Sequence, residues 1–157
     1  MEVEVLVEIP MGSRNKYEMD EKRGVIVLDR VLHTNFVFPV EYGHIPHTLA
    51  DDGDPLDAMI LIRYPTFPGC RIKARIIGAM VMSDENGKDD KLLCVPVDDP
   101  YFKEWRNIGD VPKQKLEEIR HFFEHYKDLE PGKFVKFERW VDKAEAEEIY
   151  QRALRHD

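Results

Sequence analysis

Four carboxylates crowd into one seven-residue stretch, Asp51-Asp52-Gly53-Asp54-Pro55-Leu56-Asp57. Two carboxylates about 4 Å apart repel each other by roughly 4 kcal/mol at an effective dielectric of 20. Such crowding is tolerated where the loop is open to water, or where a hard divalent cation lies among the oxygens. Gly53 allows the backbone to turn and Pro55 stiffens it, which favours a shaped loop. The stretch therefore predicts either an acidic surface turn or a site for divalent metal ions.

Calcium binding of the EF-hand type is excluded by the spacing of this stretch. Counted from Asp52, the sixth position is Asp57, where an EF-hand loop needs Gly, and the twelfth is Arg63, where it needs Glu. Oxygen ligands still suit Mg²⁺, Mn²⁺ or Ca²⁺ better than zinc. Any metal bound by this loop is therefore expected to be a hard divalent cation.

A second acidic turn runs from Ser83 to Lys91 and contains Asp84 and Asp89. Its Asn86-Gly87 pair is a strong signal for a tight turn between two strands. Taken alone, the stretch predicts an ordinary polar hairpin that presents further carboxylates.

Cations and hydroxyl groups that could accompany these carboxylates lie close to predicted strand or helix ends. The cations are Lys16, Arg30, Lys91 and Lys127, and the candidate hydroxyl donors are Tyr17, Tyr42, Tyr64 and Tyr126. Several Mg²⁺ ions on carboxylates, flanked by Lys, Arg and Tyr, suit the transfer of a phosphoryl group to water. The same residues could instead form ordinary surface ion pairs.

A third pattern, His121-Phe122-Phe123-Glu124-His125, matches the inverted zinc-peptidase motif H-x-x-E-H. On a helix the two histidines share one face and could both bind zinc, with Glu145, Glu147 or Glu148 as a third ligand. The motif is short, however, and a structural helix with surface or interface histidines is the simpler interpretation.

The elements that must position these residues follow from hydrophobic periodicity. Alternating valines from Val3 predict a half-buried strand that ends at Pro10-Met11-Gly12 and that carries Glu8 on the opposite face. Further strands are predicted at 15–19, with Lys16 and Glu18 on one face, and at 25–30, 58–62, 71–82, 91–97 and 133–141. A bend is predicted at Gly78.

Two helices complete the predicted fold. Pro112 opens a helix from 113 to about 127, and Asp142 with Glu145 predicts a capping box for a terminal helix. Many short strands followed by helices predict an α+β fold, with a small β-barrel and helices packed outside.

Composition limits the classes of function. The 157 residues suffice for one domain, with 23 Lys and Arg against 31 Asp and Glu, a net charge of −8. This charge argues against binding to nucleic acid or to an anionic membrane surface, and the apolar runs are too short to span a bilayer. Cys70 and Cys94 lack a CxxC spacing and are predicted to be buried, reduced thiols. A cytoplasmic protein is expected.

Together, the motifs resemble those of family I soluble inorganic pyrophosphatases of the bacterial type. The stretch from Asp52 to Asp57 is similar to the family's aspartate signature. The other blocks stand in the family's order and are Glu8-Ile9-Pro10, Lys16-Tyr17-Glu18, Leu28-Asp29-Arg30, Glu41-Tyr42-Gly43, Asp84 to Lys91 and His121 to Glu130. The resemblance spans the chain from its first strand to beyond its penultimate helix.

This resemblance implies hydrolysis of inorganic pyrophosphate to two orthophosphates by a metal-activated water in a site with several Mg²⁺ ions. It also implies a small OB-like closed β-barrel with helices packed outside, and a homo-oligomer, commonly a hexamer. Asp52, Asp57 and Asp89 would hold one metal, and Asp57 would be shared with a second. Asp84 would join Asp89 at a third, and Glu8 would touch another.

The remaining roles implied by the resemblance concern the proton and the phosphates. Asp54 is the first choice for the general base and Asp89 is its rival, while Glu18 would support metal-bound waters. The phosphate-binding residues would be Lys16, Arg30, Tyr42, Lys91, Tyr126 and Lys127. One departure is Phe38 before Pro39, where family members often carry Tyr, so that one hydroxyl donor is missing.

Two alternatives from other functional classes remain beside this hypothesis. One is a zinc peptidase built on His121 and His125. The other is an OB-type module that binds oligonucleotides or a scaffold that binds divalent cations. The net charge of −8 weighs against the oligonucleotide version.

Overall fold

Nine β-strands, two α-helices and two short 3₁₀ helices (Pro100–Phe102 and Ile108–Asp110) make up the computed structural model, which describes residues 1–154. The strands are β1 (Glu2–Ile9), β2 (Asn15–Asp20), β3 (Val25–Val31), β4 (Glu41–His44), β5 (Asp57–Ile60), β6 (Arg71–Asp84), β7 (Gly87–Lys88), β8 (Lys91–Pro96) and β9 (Val135–Asp142). The helices are α1 (Lys113–His125) and α2 (Lys143–Ala153). No helix within these residues is long and apolar enough to cross a membrane.

Seven strands form one mixed sheet, and β2 with β3 forms a separate antiparallel hairpin. β1 pairs with β4, β4 with β5, β5 with β8 in parallel, and β8 with β6, which pairs with β1 again. β7 and β9 attach to the long strand β6. The predicted α+β class is confirmed as a mixed, sheet-rich fold with two helices.

Most predicted elements lie within a few residues of the observed ones, and several details differ. The short strands β4 and β7 were not predicted, because neither the four residues that contain Gly43 nor Gly87–Lys88 show alternation. α1 ends at His125 rather than near Lys127. Asp142 caps α2 by accepting a hydrogen bond from the Glu145 N–H at 3.0 Å, but Glu145 pairs with Arg139 instead of completing a capping box.

The core consists of two clusters of buried apolar side chains on the strands and helices. α1 contributes Ile119, Phe122 and Phe123 to one cluster, and α2 contributes Ala146 and Ile149 to the other. Both packing faces follow the helical spacing of apolar residues.

The prediction for the two cysteines is correct for one of them. Cys94 is fully buried on β8, and burial raises the pKa of its thiol to about 12. The prediction that Cys70 is buried was wrong, because this residue follows Gly69 in a turn at the start of β6 and is half-exposed. Both thiols are free.

Strands β1 and β4 approach so closely that only glycine fits at position 43. A Cβ atom on Gly43 would lie 1.9 Å from the backbone oxygen of Leu6. Backbone atoms cannot move aside as a flexible side chain can, so the two strands would have to separate. Next to this contact, the β1–β4 register shifts between Val7 and Ile9, which places Glu8 in a bulge. Bulges change the direction in which a strand side chain points, often beside active sites.

Gly43→Ala is expected to lower the free energy of unfolding by about 2 to 3 kcal/mol, the upper range for overpacked sites. Urea unfolding monitored by circular dichroism measures this change. Gly109→Ala is the matched control, because no atom lies within 4 Å of its added Cβ. Equal stability of the two variants would contradict the close approach of β1 and β4.

Candidate active site

One open cavity of about 470 Å³ brings together all thirteen residues to which a site role was assigned from the sequence. They are Glu8, Lys16, Glu18, Arg30, Tyr42, Asp52, Asp54, Asp57, Asp84, Asp89, Lys91, Tyr126 and Lys127. They come from β1, β2, β3, β4, β5, β6, β8 and from the segments that follow α1 and precede β5 and β8. Acidic and basic side chains therefore face a common space.

The centre of the cavity is a buried ammonium group. Lys91 Nζ lies 3.0 Å from Asp57 Oδ2 and 2.9 Å from Asp89 Oδ2, and it also donates to the Tyr42 hydroxyl. Tyr42 in turn donates to Asp57 Oδ2 at 2.9 Å. The parallel pairing of β5 with β8 sets Asp57 opposite Lys91, which explains why residues 34 positions apart meet. The Lys91 side chain is only 1% exposed.

Burial and neighbouring charges shift the pKa values of Asp89, Lys91 and Tyr42. Burial raises the pKa of Asp89 to about 6, with the Asp57 charge adding to the rise and Lys91 opposing it. Although burial disfavours the charged form of Lys91, the charges of Asp57 and Asp89 raise its pKa well above the usual value. Burial also raises the pKa of Tyr42. At neutral pH Lys91 is therefore a cation and Tyr42 a neutral hydroxyl.

A second cation lies at the end of α1. Lys127 Nζ lies 3.3 Å from Asp84 Oδ2 and 3.1 Å from Glu85 Oε2. Glu85 also accepts a hydrogen bond from the Phe134 N–H at 3.2 Å, so it connects the β6–β7 turn to the segment before β9. Glu85 has no predicted role, although it lies inside the acidic turn from Ser83 to Lys91.

The third group of charges surrounds Arg30 on β3. Arg30 forms ion pairs with Asp29 and, at 2.8 Å, with Glu130 Oε1, and Lys133 Nζ lies 3.0 Å from the same Glu130 oxygen. Lys16 lies 3.6 Å from Asp29. Asp29 and Glu130 belong to the motif blocks but have no predicted role. Lys133 has no signal in the sequence beyond its charge.

Glu130→Gln is expected to reduce stability at pH 7 by about 1.5 to 3 kcal/mol, the range for hydrogen bonds to charged groups. Burial acts to raise the Glu130 pKa, but Lys133 and Arg30 outweigh it and hold the pKa below its usual value. A lowered folded-state pKa contributes stability above the unfolded value near 4.5, and the contribution disappears as pH falls through the folded value. Urea unfolding of both proteins at pH 7 and at pH 3 should show the difference shrinking in acid. A difference that stays constant with pH would contradict an ionised Glu130.

The acidic loop before β5 is a shaped turn. The Asp54 N–H donates to Asp52 Oδ1 at 3.0 Å, and Gly53 has a φ of +88°. Burial raises the pKa of Asp52. Asp54 is exposed and lines the cavity, while Asp51 lines a separate small pocket instead.

The donor set of the cavity suits a hard divalent cation. Its carboxylates supply oxygen ligands, and Asp57 and Asp89 already share one cationic group, the Lys91 ammonium, within 3.0 Å. Across residues 1–154, no three His, Cys, Asp or Glu side chains converge on one point that could hold an ion. The oxygen ligands of these residues therefore suit a hard divalent cation. The carboxylates lie next to each other but do not surround a single point.

Three aromatic residues qualify the predicted set of hydroxyl donors. The prediction for Tyr64 was wrong, because this side chain is 72% exposed and lies away from the cavity. Tyr17 lines the cavity, and its hydroxyl accepts a hydrogen bond from Asn15 Nδ2 at 3.1 Å. Phe38 is buried against Tyr42, Tyr126 and the α1 phenylalanines. It therefore adds an apolar surface to the cavity at the position where family members often carry a tyrosine hydroxyl.

The two histidines and the glutamate of the H-x-x-E-H motif lie outside the cavity. The rings of His121 and His125 are 4.8 Å apart, but His125 Nδ1 lies 2.8 Å from Asp128, and Glu124 pairs with Arg120. No third ligand joins the two histidines in the part of the chain that the structure describes. His121, Glu124 and His125 therefore lie on the outer side of α1, while the two phenylalanines between them pack in the core.

Comparison with known proteins identifies the family. The family model described as inorganic pyrophosphatase matches residues 5–156. The chain belongs to the inorganic pyrophosphatase family. It is 53% identical over 148 residues to the inorganic pyrophosphatase of Leifsonia xyli, covering 94% of this chain and 91% of the relative. It is 52% identical over 155 residues to that of Streptomyces coelicolor, covering 99% and 95%.

Solved structures of inorganic pyrophosphatases agree with this assignment. The structure from Helicobacter pylori superposes with a TM-score of 0.96 at 41% identity, covering 98% of this chain and 91% of that one. The structure from Thermus thermophilus gives 0.96 at 44% identity, covering 98% and 89%. The resemblance inferred from the ordered motifs is confirmed, and the zinc-peptidase and binding-module alternatives lose their support.

Proposed function

We propose that this pyrophosphatase-family chain hydrolyses inorganic pyrophosphate to two orthophosphates. The observation that carries the proposal is the single cavity in which carboxylates face five cations, Lys16, Arg30, Lys91, Lys127 and Lys133. Pyrophosphate is small and highly anionic, so it needs such cations, and its hydrolysis needs an activated water.

The cofactor is proposed to be Mg²⁺, several ions per site. Asp52, Asp57 and Asp89 would hold it, with Asp84 and Glu8 contributing to further positions, because all five line the cavity and offer only oxygen ligands. When bound, such ions neutralise phosphate charge and lower the pKa of water. Glu18, on the β2 side of the cavity, is proposed to hold waters of the metal shell.

Asp54 is proposed as the general base. It lies on the cavity between two proposed ligands of the same loop, and its exposure gives solvent water access to its carboxylate. Asp89, the rival, is largely buried and forms an ion pair with Lys91, which leaves it less available to take a proton from water. Asp54 would orient the attacking water and accept its proton.

The phosphate groups are proposed to bind Arg30 and Lys127 at one side of the cavity and Lys91 with Tyr42 at its centre. Arg30 and Lys127 are already paired with carboxylates, so phosphate binding would exchange one anionic partner for another. Lys16 and Tyr126 complete the set on the cavity wall. Their positive charges and hydroxyl would stabilise the leaving phosphate.

Four further features are proposed. The pairings that run from β1 through β4, β5, β8 and β6 back to β1 support an OB-like closed barrel. The family match over residues 5–156 supports one domain over 1–157. Two free thiols favour a reducing cytoplasm. Exposed apolar Leu28 and Val31 on β3 support a homo-oligomer, for which a hexamer is expected.

The function is tested by phosphate release from pyrophosphate with Mg²⁺, beside reactions with EDTA and with ATP. Rapid release that requires Mg²⁺, with little release from ATP, is the expected result. Release that continues in EDTA would contradict the metal proposal. A folded protein that releases no phosphate with Mg²⁺ would contradict the function itself.

A further inference from the structure

His44 is buried and lines the cavity, but neither the sequence motifs nor the proposed reaction gives it a role. It ends β4, its side chain is 9% exposed, and it lines the same space as the carboxylates. Its Nδ1 lies 3.1 Å from Glu8 Oε1. In this contact the imidazole Nδ1–H is assigned as the donor and the carboxylate oxygen as the acceptor.

The backbone around Glu8 makes this contact specific. Glu8 lies in the β1 bulge, where the pairing with β4 shifts between Val7 and Ile9, and His44 is paired with Leu6. The close approach at Gly43 fixes the two strands against each other beside the bulge. Because of the bulge, the regular alternation of the strand does not set the direction of the Glu8 side chain. That direction depends on the hydrogen-bond donors that bind the Glu8 carboxylate.

Two donors from different strands hold that carboxylate. His44 of β4 binds Oε1, and the Met19 N–H of β2 binds Oε2 at 2.8 Å. Each oxygen keeps a further lone pair for another partner. On its other side, His44 is paired in the sheet with Asp57 of β5, so it lies between two carboxylates of the cavity.

We propose that His44 is a positioning residue, which orients the Glu8 carboxylate toward a divalent cation in the cavity by hydrogen bonding to Oε1. This inference rests on the proposed function, because it takes Glu8 as a metal ligand. Hydrogen-bond partners that fix ligand orientation are typically worth 10–100-fold in metal affinity or activity. His44 acts through Glu8 and does not need to touch the substrate.

The test compares three substitutions of His44 that differ in whether, and at which position, a hydrogen-bond donor remains. Asn places its amide nitrogen near the position of Nδ1, Gln places it near Nε2, and Phe keeps the ring without a donor. Titration calorimetry with Mg²⁺ alone, on the substrate-free protein, measures affinity independently of turnover. His44→Phe and His44→Gln are expected to weaken binding about 10-fold, and His44→Asn by less than about 3-fold. His121→Phe, the same change on the α1 surface, should have no effect.

A double-mutant cycle with Glu8→Ala separates positioning from a general loss of structure. If His44 acts through Glu8, His44→Phe should have no further effect on Mg²⁺ affinity once Glu8 is absent. Additive losses, or Mg²⁺ affinity unchanged in His44→Phe, would overturn the inference. Circular dichroism melting confirms that each variant is folded.

Failure of this inference is distinguishable from failure of the proposed function. Wild-type turnover of pyrophosphate with unchanged Mg²⁺ affinity in His44→Phe would overturn the role of His44 alone. Wild-type protein that neither binds Mg²⁺ nor releases phosphate would overturn both. Rescue of affinity by Asn but not by Gln would support a donor at the Nδ1 position.

Discussion

Asp57→Asn is expected to lower kcat for pyrophosphate hydrolysis roughly 1,000-fold while the protein stays folded. Asn keeps the size of the side chain and can still accept a hydrogen bond from Tyr42, which lies 2.9 Å from Asp57 Oδ2. It removes the negative charge that the Lys91 ammonium contacts at 3.0 Å and that is proposed to be shared between two metal ions. The loss of several kcal/mol of electrostatic stabilisation corresponds to this fall in rate. Steady-state phosphate release with saturating Mg²⁺ measures it.

The matched control lies in the same loop. Asp51→Asn makes the same chemical change at a residue that does not line the cavity, so it should keep kcat within about 3-fold of wild type. Near wild-type turnover of Asp57→Asn would contradict the assignment of this carboxylate. Equal losses of kcat in the two variants would show that activity depends on the total charge of the loop and not on the position of Asp57.

Lys91→Met is expected to lower the free energy of unfolding by about 3 to 5 kcal/mol and also to abolish most activity. The ammonium is 1% exposed and lies within 3.0 Å of both Asp57 and Asp89. Removal of one partner from a buried ion pair leaves the other charge uncompensated, which is costlier than the pair's own contribution. Here two carboxylates would lose their shared cation. Urea unfolding at pH 7 in EDTA measures the stability.

Lys88→Met controls for the loss of a positive charge nearby. Lys88 is about half-exposed and lies 3.5 Å from Asp90, so its removal should change stability by less than about 0.5 kcal/mol. A Lys91→Met protein as stable as the Lys88→Met protein would contradict the buried network. A stable but inactive Lys91→Met protein would limit the role of Lys91 to the reaction.

Local sequence patterns predicted the elements that carry the acidic side chains. The alternation in β1, the turn chemistry at Gly53 and Asn86-Gly87, and the apolar spacing in α1 each depend on residues close together in the chain. Predictions from these patterns agree with the structure within a few residues. The ordered motif blocks added the family, and the cavity contains every residue to which they assigned a part.

Local sequence patterns could not predict the contacts between distant segments of the chain. The hydrogen bond from His44 to Glu8 joins residues 36 positions apart and depends on the bulge in β1 and on the register of β4. The pairing of Arg30 with Glu130 likewise joins β3 to the segment after α1. Tyr64 was misplaced because a phenol is equally compatible with a wet surface and with a polar cavity. Register and burial, rather than residue type, decide these cases.

The most direct test of the central claim is product analysis with wild-type protein and Asp57→Asn side by side. Purified protein is mixed with pyrophosphate and Mg²⁺, and both pyrophosphate consumed and orthophosphate formed are measured over time. We predict two orthophosphates for each pyrophosphate consumed by the wild type, none above background in EDTA, and a rate roughly 1,000-fold lower for Asp57→Asn. Intact pyrophosphate after incubation with folded wild-type protein and Mg²⁺ would contradict the account.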